Sequence, residues 1–227
     1  MVDYEDYVGT LVKSWRDSGE TVPAYAGRLR IARGIELGEP LADLKRTEAI
    51  LDAYDFDFVL GSQHKLNSLD RETNIDYYFY DYTGKDVGLV MDEYFDAVLE
   101  LVNWGRFHAL AHLTYPFRYI PEEKRPADFS RWQDRIDAIL RQLAVKGLAL
   151  EINTSGLRQP GGTTHPPLSL VRRFRQLGGE FITIGADAHR PEDVGTGLEQ
   201  AAALAREAGF THQAVFFGGK MELLPLE

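Results

Sequence analysis

Seven acidic, imidazole or amide side chains stand at the ends of short apolar runs along this 227-residue chain. In chain order they are Glu36, His64, His112, Glu151, Asn153, Asp187 and His189. The chain has no cysteine, which removes thiolate metal sites and cysteine nucleophiles. Imidazole and carboxylate donors without sulfur suit Zn, Mn or Fe, and such ions favour hydrolytic chemistry.

Asp187 and His189 strengthen the metal interpretation because they stand two residues apart, directly after an apolar run. In extended backbone that spacing points both side chains to one face, so that they can chelate a single cation. A lone aspartate or histidine at such a position more commonly caps a helix or bonds within a loop. The repetition at five run ends is what predicts a shared metal site.

The apolar runs that carry these side chains are short and apolar on both faces, which is typical of buried parallel strands. They cover residues 29–37, 56–61, 107–112, 148–153 and 181–185, with residues 215–217 as a short further candidate. Because the carboxyl ends of parallel strands share one edge of the sheet, we expect the side chains above to meet there.

Segments of helical periodicity alternate with these strands. Two of them carry an apolar stripe, formed by Met91, Tyr94, Phe95, Val98 and Val102 and by Trp132, Ile136, Ile139, Leu140 and Leu143. Further helices are predicted at residues 4–15, 167–178 and 198–209, the last two ending at glycine. The alternation predicts one parallel α/β domain over residues 1–227, with residues 64–86 as a polar active-site loop.

The charge balance limits the classes of partner. Twenty-five basic against thirty-five acidic side chains give a formal net charge of −10, so the chain has no global basic footprint for nucleic acid or an anionic membrane. The acidic amino terminus is followed by no long apolar run, which predicts a cytoplasmic protein without a membrane anchor. A homo-oligomer stays open.

The remaining histidines divide by their place in the predicted strands. His108 begins its strand, so we expect it at the end opposite to the site, in a structural or a solvated position. His165 lies in the loop after the fourth strand, where a substrate contact and an ordinary loop position are equally open. His212, near the carboxyl terminus, is predicted to be a surface residue.

Four segments together resemble the PHP (polymerase and histidinol phosphatase) superfamily, and within it the histidinol-phosphate phosphatases. They are Gly61-Ser62-Gln63-His64, Ala111-His112, Glu151-Ile152-Asn153-Thr154-Ser155-Gly156-Leu157-Arg158 and Gly185-Ala186-Asp187-Ala188-His189. The resemblance extends over residues 28–195. The third segment is the one that points to the phosphatase branch.

The resemblance implies a distorted seven-stranded β/α barrel with up to three divalent metal ions, and hydrolysis of a small phosphorylated substrate, most closely L-histidinol phosphate. It implies that Glu36 bridges two metals and that the other metal ligands are His64, His112, Asp187 and His189. Glu36 and Asp187 are thereby the predicted catalytic residues. Arg158 is predicted to contact the substrate phosphate, with Asn153 and His165 as further substrate-binding candidates.

One part of the family pattern has no counterpart in this sequence. The family opens with a strand that carries a His-x-His pair, whereas the first histidine here is His64. We therefore expect a barrel that lacks its first two strands. Since such a barrel exposes two sheet edges, the chain is expected to be a fragment, or else a partner fills the gap. Activity of the chain as given is expected to be absent or severely impaired.

Three alternatives remain open at this point. The first is a PHP phosphoesterase acting on another substrate, such as a nucleotide, a sugar phosphate or a phosphoprotein. The second is another metal hydrolase, such as an amidohydrolase with Asp187 as the base. The third is a degenerate, non-catalytic PHP domain that binds a partner.

Overall fold

A five-stranded parallel sheet forms the centre of the protein in the computed structural model, which describes Asp17, Gly19, Pro23 and residues 27–66 and 75–227. The strands follow the chain order β1-β2-β3-β4-β5, and every neighbouring pair is parallel. Their bounds are Gly34–Gly38, Phe58–Ser62, Ala109–Leu110, Ala149–Asn153 and Ile182–Gly185. The fold prediction is confirmed in class and in the number of parallel strands.

Helices connect consecutive strands, as parallel pairing requires. In the described residues they are α1 Leu44–Ala53, α2 Val87–Trp104, α3 Gln133–Lys146, α4 Leu168–Gln176 and α5 Leu198–Glu207. The two predicted apolar stripes are buried in the core, which confirms them. Glycines in the left-handed conformation follow α2 and α3 directly, where Gly105 and Gly147 cap the helix ends. The helix predicted at residues 4–15 lies outside the described residues.

Ion pairs join the outer helices to one another. Three of them, Arg135–Asp96, Arg173–Asp137 and Arg172–Glu207, link α3 to α2, α4 to α3 and α4 to α5. Aromatic contacts lie beneath, including Phe95 against Trp132 with ring centroids 6.0 Å apart. The helices therefore form one layer over the sheet, and the loops at the carboxyl ends of the strands stay available for other contacts.

The first strand is shorter than predicted. It begins at Gly34 because its partner, β2, begins opposite it at Phe58, so residues 29–33 have no strand to pair with. Leu29 is accordingly exposed. The other four predicted strands agree with the structure to within one or two residues at each end.

The predicted short strand at residues 215–217 does not join the parallel sheet. It belongs to β6, His212–Phe217, which pairs antiparallel with β7, Lys220–Pro225. Gly218 and Gly219 both have positive φ, 57° and 70°, which is the conformation of a two-residue hairpin turn. This turn folds the chain back on itself, so β6 pairs with the next segment rather than with β5.

The β6–β7 hairpin covers the amino-terminal end of the sheet. Phe216 stacks on Phe58 and on His108, with ring centroids 5.1 and 4.6 Å apart. The His108 Nδ1 atom accepts a hydrogen bond from the Val59 backbone N–H at 2.9 Å. The structural position predicted for His108 is confirmed, and His212 is exposed as predicted. No helix in the described part of the chain is long and apolar enough to cross a bilayer.

Candidate metal centre

Three predicted ligands meet at the carboxyl-terminal edge of the sheet. Glu36 lies on β1, His64 follows β2 and His112 follows β3. The Glu36 Oε1 atom lies 3.1 Å from the Nε2 atom of each histidine, and the two Nε2 atoms are also 3.1 Å apart. One carboxylate oxygen and two imidazole nitrogens thus form an equilateral triangle.

This triangle has the size that a bound divalent ion requires. For metal–ligand bonds of about 2.0–2.1 Å, tetrahedral angles place neighbouring ligand atoms about 3.3 Å apart. The observed separations of 3.1 Å are close to that value. Two imidazole nitrogens facing each other and one carboxylate also lack the protons to satisfy all three contacts at once, whereas a cation satisfies all three. The residues fit a metal ion.

Backbone contacts to buried carboxylates hold both histidines in place. Glu39 Oε1 accepts hydrogen bonds from the backbone N–H groups of His64 and Lys65. Glu151 Oε2 accepts from the backbone N–H of His112 at 3.0 Å. His112 itself is 3% exposed and has a φ of +31°, so its backbone is held in the left-handed region. Fixing the backbone in this way fixes the direction of the imidazole.

The electrostatics of the triangle favour an ionised carboxylate at Glu36 and a neutral imidazole at His112, whereas Glu36 favours a proton on His64, which a bound cation would replace. Burial raises the pKa of Glu36, but hydrogen bonds to His112 and His64 outweigh burial and hold this pKa well below its usual range. Burial lowers the pKa of His64, yet Glu36 outweighs that effect and the pKa rises. Burial dominates at His112 and lowers its pKa. Neutral imidazole and ionised carboxylate are the forms that bind metal.

A second observation also indicates a cation. Glu151 is buried, and burial together with the nearby charges of Glu36 and Asp187 raises the pKa of Glu151 to about 8. These three carboxyl groups share a cavity of about 210 Å³ in the described part of the structure. Crowded carboxylates repel one another, and a divalent cation among them removes that repulsion.

Asp187 and His189 lie beside the triangle rather than in it. Asp187 lines a cavity of about 260 Å³ together with Glu36, His64 and His112, and His189 borders the same cavity. His189 is 85% exposed, and its Nδ1 atom is 3.1 Å from the Asp187 carbonyl oxygen. Asp187 has a φ of +50°, so it too is a non-glycine residue in the left-handed region. Their assignment as metal ligands stays a prediction.

Arg118 is a site residue that the sequence analysis did not find. It follows His112 by six positions and lies in a 3₁₀ helix, Tyr115–Arg118. Its guanidinium is 5% exposed, with Nη1 3.5 Å from Asp187 Oδ2 and Nη2 donating to Ser155 Oγ at 2.9 Å. Arg118 also lines the 260 Å³ cavity. A buried guanidinium beside the triangle provides donors for an oxyanion.

Asp76, Tyr115 and Tyr119 complete the wall of this cavity. The Tyr115 hydroxyl donates to Asp76 Oδ1 at 3.0 Å, and its ring lies 5.2 Å from the ring of Tyr119, centroid to centroid. The ring of His64 packs edge-on against Tyr115 at 4.7 Å. The lining of this cavity therefore combines metal ligands with aromatic rings and a further carboxylate.

The three predicted substrate contacts occupy other positions. Asn153 donates to Glu151 Oε2 and accepts from Ser155, which makes it part of the network behind His112. Arg158 donates to the carbonyl oxygens of Ala186 and Asp187, and so holds the loop that carries Asp187. The role predicted for each of these residues in substrate binding stays a prediction.

His165 points away from the triangle. Its backbone pairs with that of Asn153 in an antiparallel bridge, and its Nδ1 atom is 2.8 Å from Thr114 Oγ1. The side chain is buried and lines a separate cavity behind Arg118. This geometry does not favour a direct contact between His165 and a substrate at the triangle. The substrate-binding role of His165 stays a prediction.

Comparisons with known proteins agree with this arrangement. A family model described as the PHP domain matches residues 3–155. The chain is 29% identical over 218 residues to the histidinol-phosphatase of Lactococcus lactis subsp. lactis (strain IL1403), which covers 96% of this chain and 79% of that protein. It is 32% identical over 187 residues to the probable histidinol-phosphatase of Thermotoga maritima, covering 79% of this chain and 78% of that protein.

A solved structure shares the fold. It is the crystal structure of histidinol phosphate phosphatase from Lactococcus lactis in complex with zinc, L-histidinol and phosphate. The two structures superpose with a TM-score of 0.80 at 29% sequence identity, and the match covers 93% of this chain and 79% of that chain. The neighbour therefore combines the same architecture with bound zinc.

Proposed function

The chain belongs to the PHP domain family, and we propose that it is a metal-dependent phosphatase that hydrolyses phosphomonoesters, with L-histidinol phosphate as its substrate. The observation that carries the proposal is the triangle of Glu36, His64 and His112 with the Arg118 guanidinium beside it. Metal ligands next to a buried arginine suit a phosphoryl group, because its oxygens need both a cation and directional donors.

The triangle would hold a divalent metal ion, and zinc is the ion we propose. Two imidazole nitrogens and one carboxylate oxygen are a common ligand set for zinc. The related Lactococcus lactis protein was crystallised with zinc. Such an ion, when bound, polarises phosphoryl oxygens and lowers the pKa of coordinated water. Asp187 and His189, at the edge of the same cavity, are the residues we propose for a second metal position.

The chain's own residues position the substrate. Arg118 would donate hydrogen bonds to the phosphoryl oxygens through its guanidinium, which is already aligned by Ser155. Glu151 and Glu39 keep the two imidazoles in place through their backbone N–H groups. The Arg118 guanidinium lies over the ring of the buried Tyr115 and near that of the half-buried Tyr119, which limit the access of water to its donors and so strengthen their interaction with charge.

Asp76 and the aromatic rings favour a cationic, planar leaving group over a neutral sugar. Asp76 is a carboxylate in the wall of the cavity that the metal ligands also line, and it accepts a hydrogen bond from the Tyr115 hydroxyl. An imidazole ring and an ammonium group bind well to aromatic faces and a carboxylate. L-Histidinol carries both groups. This chemistry agrees with the names of the relatives.

A substrate panel tests the proposal. Phosphate release is measured with zinc or manganese on L-histidinol phosphate, a nucleoside monophosphate, a sugar phosphate and p-nitrophenyl phosphate, with an amide as a further candidate substrate. We expect kcat/KM for L-histidinol phosphate to exceed that for the other esters by at least about 100-fold, and no amide hydrolysis. Equal rates across the esters would refute the substrate assignment. Amide hydrolysis without phosphate release would refute the phosphatase.

One variant tests how the leaving group is recognised. Asp76→Asn is expected to lower kcat/KM for L-histidinol phosphate by about tenfold or more, because it removes the carboxylate that faces the cation. The same variant should leave p-nitrophenyl phosphate hydrolysis within about twofold of the unmodified protein. A parallel loss on both substrates would contradict substrate recognition by Asp76.

A further inference from the structure

A second cavity lies behind the metal centre. It has a volume of about 820 Å³ and is bounded by the loops after β3 and β4 and by the start of α4. Arg118 lines both this cavity and the one at the metal centre, so its guanidinium forms part of the wall between them. A volume of this size accommodates a small organic molecule.

Arg125 provides an unneutralised positive charge in this cavity. Its Nη2 atom donates to the Ile120 carbonyl at 3.0 Å, and its Nε atom is buried without a partner. No carboxylate in the described residues forms an ion pair with it, whereas Arg172 and Arg173 on the same wall pair with Glu207 and Asp137. The free charge of the cavity is therefore at Arg125.

The start of α4 adds one further donor, at Ser169, since Pro167 has no N–H and the Leu170 N–H donates to the Pro167 carbonyl oxygen. Pro167, Ser169 and Leu170 line the cavity, and α4 has no side chain that caps its amino terminus. The first backbone N–H groups of a helix have no partner within the helix, and the helix dipole favours an anion there. Two independent features, Arg125 and this uncapped helix start, thus favour the same sign of ligand charge.

The other residues of the cavity are consistent with an anion that has an apolar body. Asp128 is the one carboxylate among the residues bordering the cavity, and it accepts hydrogen bonds from the N–H and O–H of Ser130 in its own turn. Burial, followed by Arg118, lowers the pKa of His165 to about 3, so this imidazole is neutral. Phe117 and Phe129 provide aromatic walls, with ring centroids 4.5 Å apart.

We infer that this cavity is a second ligand site, which binds a small organic oxyanion, a carboxylate or a phosphate, through Arg125 and the start of α4 with its apolar part against Phe117 and Phe129. The bound oxyanion lies next to Arg118, and so next to the metal centre. The site does not depend on the proposed phosphatase activity, since its binding groups are outside the triangle of metal ligands.

Calorimetric titration of the metal-loaded protein tests this site. Benzoate is the carboxylate probe and inorganic phosphate the phosphate probe, each titrated separately. We expect at least one of them to bind with a stoichiometry of one and a Kd below about 1 mM. Arg125→Gln should weaken that binding by at least tenfold, because it removes a charge-assisted hydrogen bond. The probe that responds identifies the source of the oxyanion.

Matched variants separate binding from damage to the fold. Arg172→Gln changes an arginine on the same wall that is already paired with Glu207, and it should leave Kd within about twofold. Arg125→Lys keeps the charge and should recover part of the affinity. If Arg125→Gln leaves phosphate binding unchanged, the phosphate binds at the metal centre and not in this cavity. If benzoate also fails to bind, the proposed site is refuted. These titrations measure binding without catalysis, so their outcome is independent of whether the proposed phosphatase activity is found.

Discussion

Two histidines at opposite ends of β3 have the same side chain and opposite surroundings. His112 follows the strand, is 3% exposed and faces Glu36 and His64. His108 precedes the strand and stacks against Phe216 and Phe58, which also contact each other. Only four positions separate them. The comparison shows that in this sheet the end of the strand, rather than the residue type, decides whether an imidazole can do chemistry.

The difference comes from what the rest of the chain brings to each end. At the carboxyl end, loops deliver carboxylates from separate strands, so His112 meets ionised partners and a buried arginine. At the amino end, the β6–β7 hairpin delivers apolar rings, and the Val59 N–H bond fixes His108 as a neutral acceptor. One end therefore attracts a cation and the other excludes charge.

The largest expected effect is at His112. His112→Ala removes one corner of the triangle, and we expect metal content to fall and kcat/KM to drop by at least about 1,000-fold, since residues that merely support metal ligands already cost 10–100-fold when replaced. Metal analysis and the phosphatase assay measure both. His108→Asn is the matched control and should keep its metal. Equal metal loss in the two variants would break the comparison.

Phe216→Ala tests the opposite end. Phe216 is buried against Phe58 and His108, and its truncation is expected to cost about 3 kcal/mol in the free energy of unfolding. The metal affinity of the folded variant should stay unchanged. Denaturant unfolding and metal titration give the two numbers. Leu223→Ala, at an exposed position of β7, is the control and should cost less than about 0.5 kcal/mol.

Glu151→Leu sharpens the account of the metal end. Glu151 accepts hydrogen bonds from the His112 backbone and from the Asn153 amide, and a leucine of similar size can accept neither. We expect metal affinity to fall by about 10–100-fold. Competition with a chelator of known affinity measures the change. A variant with unaltered affinity would show that Glu151 does not position His112.

The smallest expected effect is a pH dependence at His108. Burial lowers the pKa of His108 below its ordinary value of 6.5, so the folded state favours the neutral ring. The stability that this histidine contributes is therefore present above about pH 6.5 and is lost as the pH falls below it. From about pH 7.5 to 5.5, we expect the unmodified protein to lose about 1 kcal/mol relative to His108→Asn, the worth of one hydrogen bond. The prediction is contradicted if the difference in unfolding free energy between the two proteins is the same at both pH values.

The sequence predicted the strand ends and the meeting of Glu36, His64 and His112. These predictions succeed because parallel strands bring their carboxyl ends together whatever the loops do, so that position along a strand fixes position in space. The burial of the two helical stripes follows in the same way from periodicity. The same rule places His108, which precedes β3, at the amino-terminal end of the sheet.

Loop residues were harder to predict. Arg118 lies in a segment of short 3₁₀ helices, where no period says which way a side chain points. The sequence carried one signal for Arg118. It is a basic residue six positions after His112, in the segment that follows β3. The direction of His165 depends on backbone pairing with Asn153, a contact between residues of one loop and one strand that spacing does not encode. The hairpin depends on Gly218-Gly219, a dipeptide typical of a two-residue hairpin turn.

Glu39, His112 and Asp187 are the non-glycine residues with positive φ in the described part of the chain, and all three border the metal centre. Glycine or asparagine fits such a backbone with less strain. A directed-evolution campaign for heat resistance would therefore reward replacements that relax these torsions, and such a change would remove a corner of the triangle at His112 or the carboxylate that holds the His64 backbone at Glu39. Thermal tolerance and catalytic competence are opposed here at the level of single backbone torsions, so any screen on this scaffold should select for both at once.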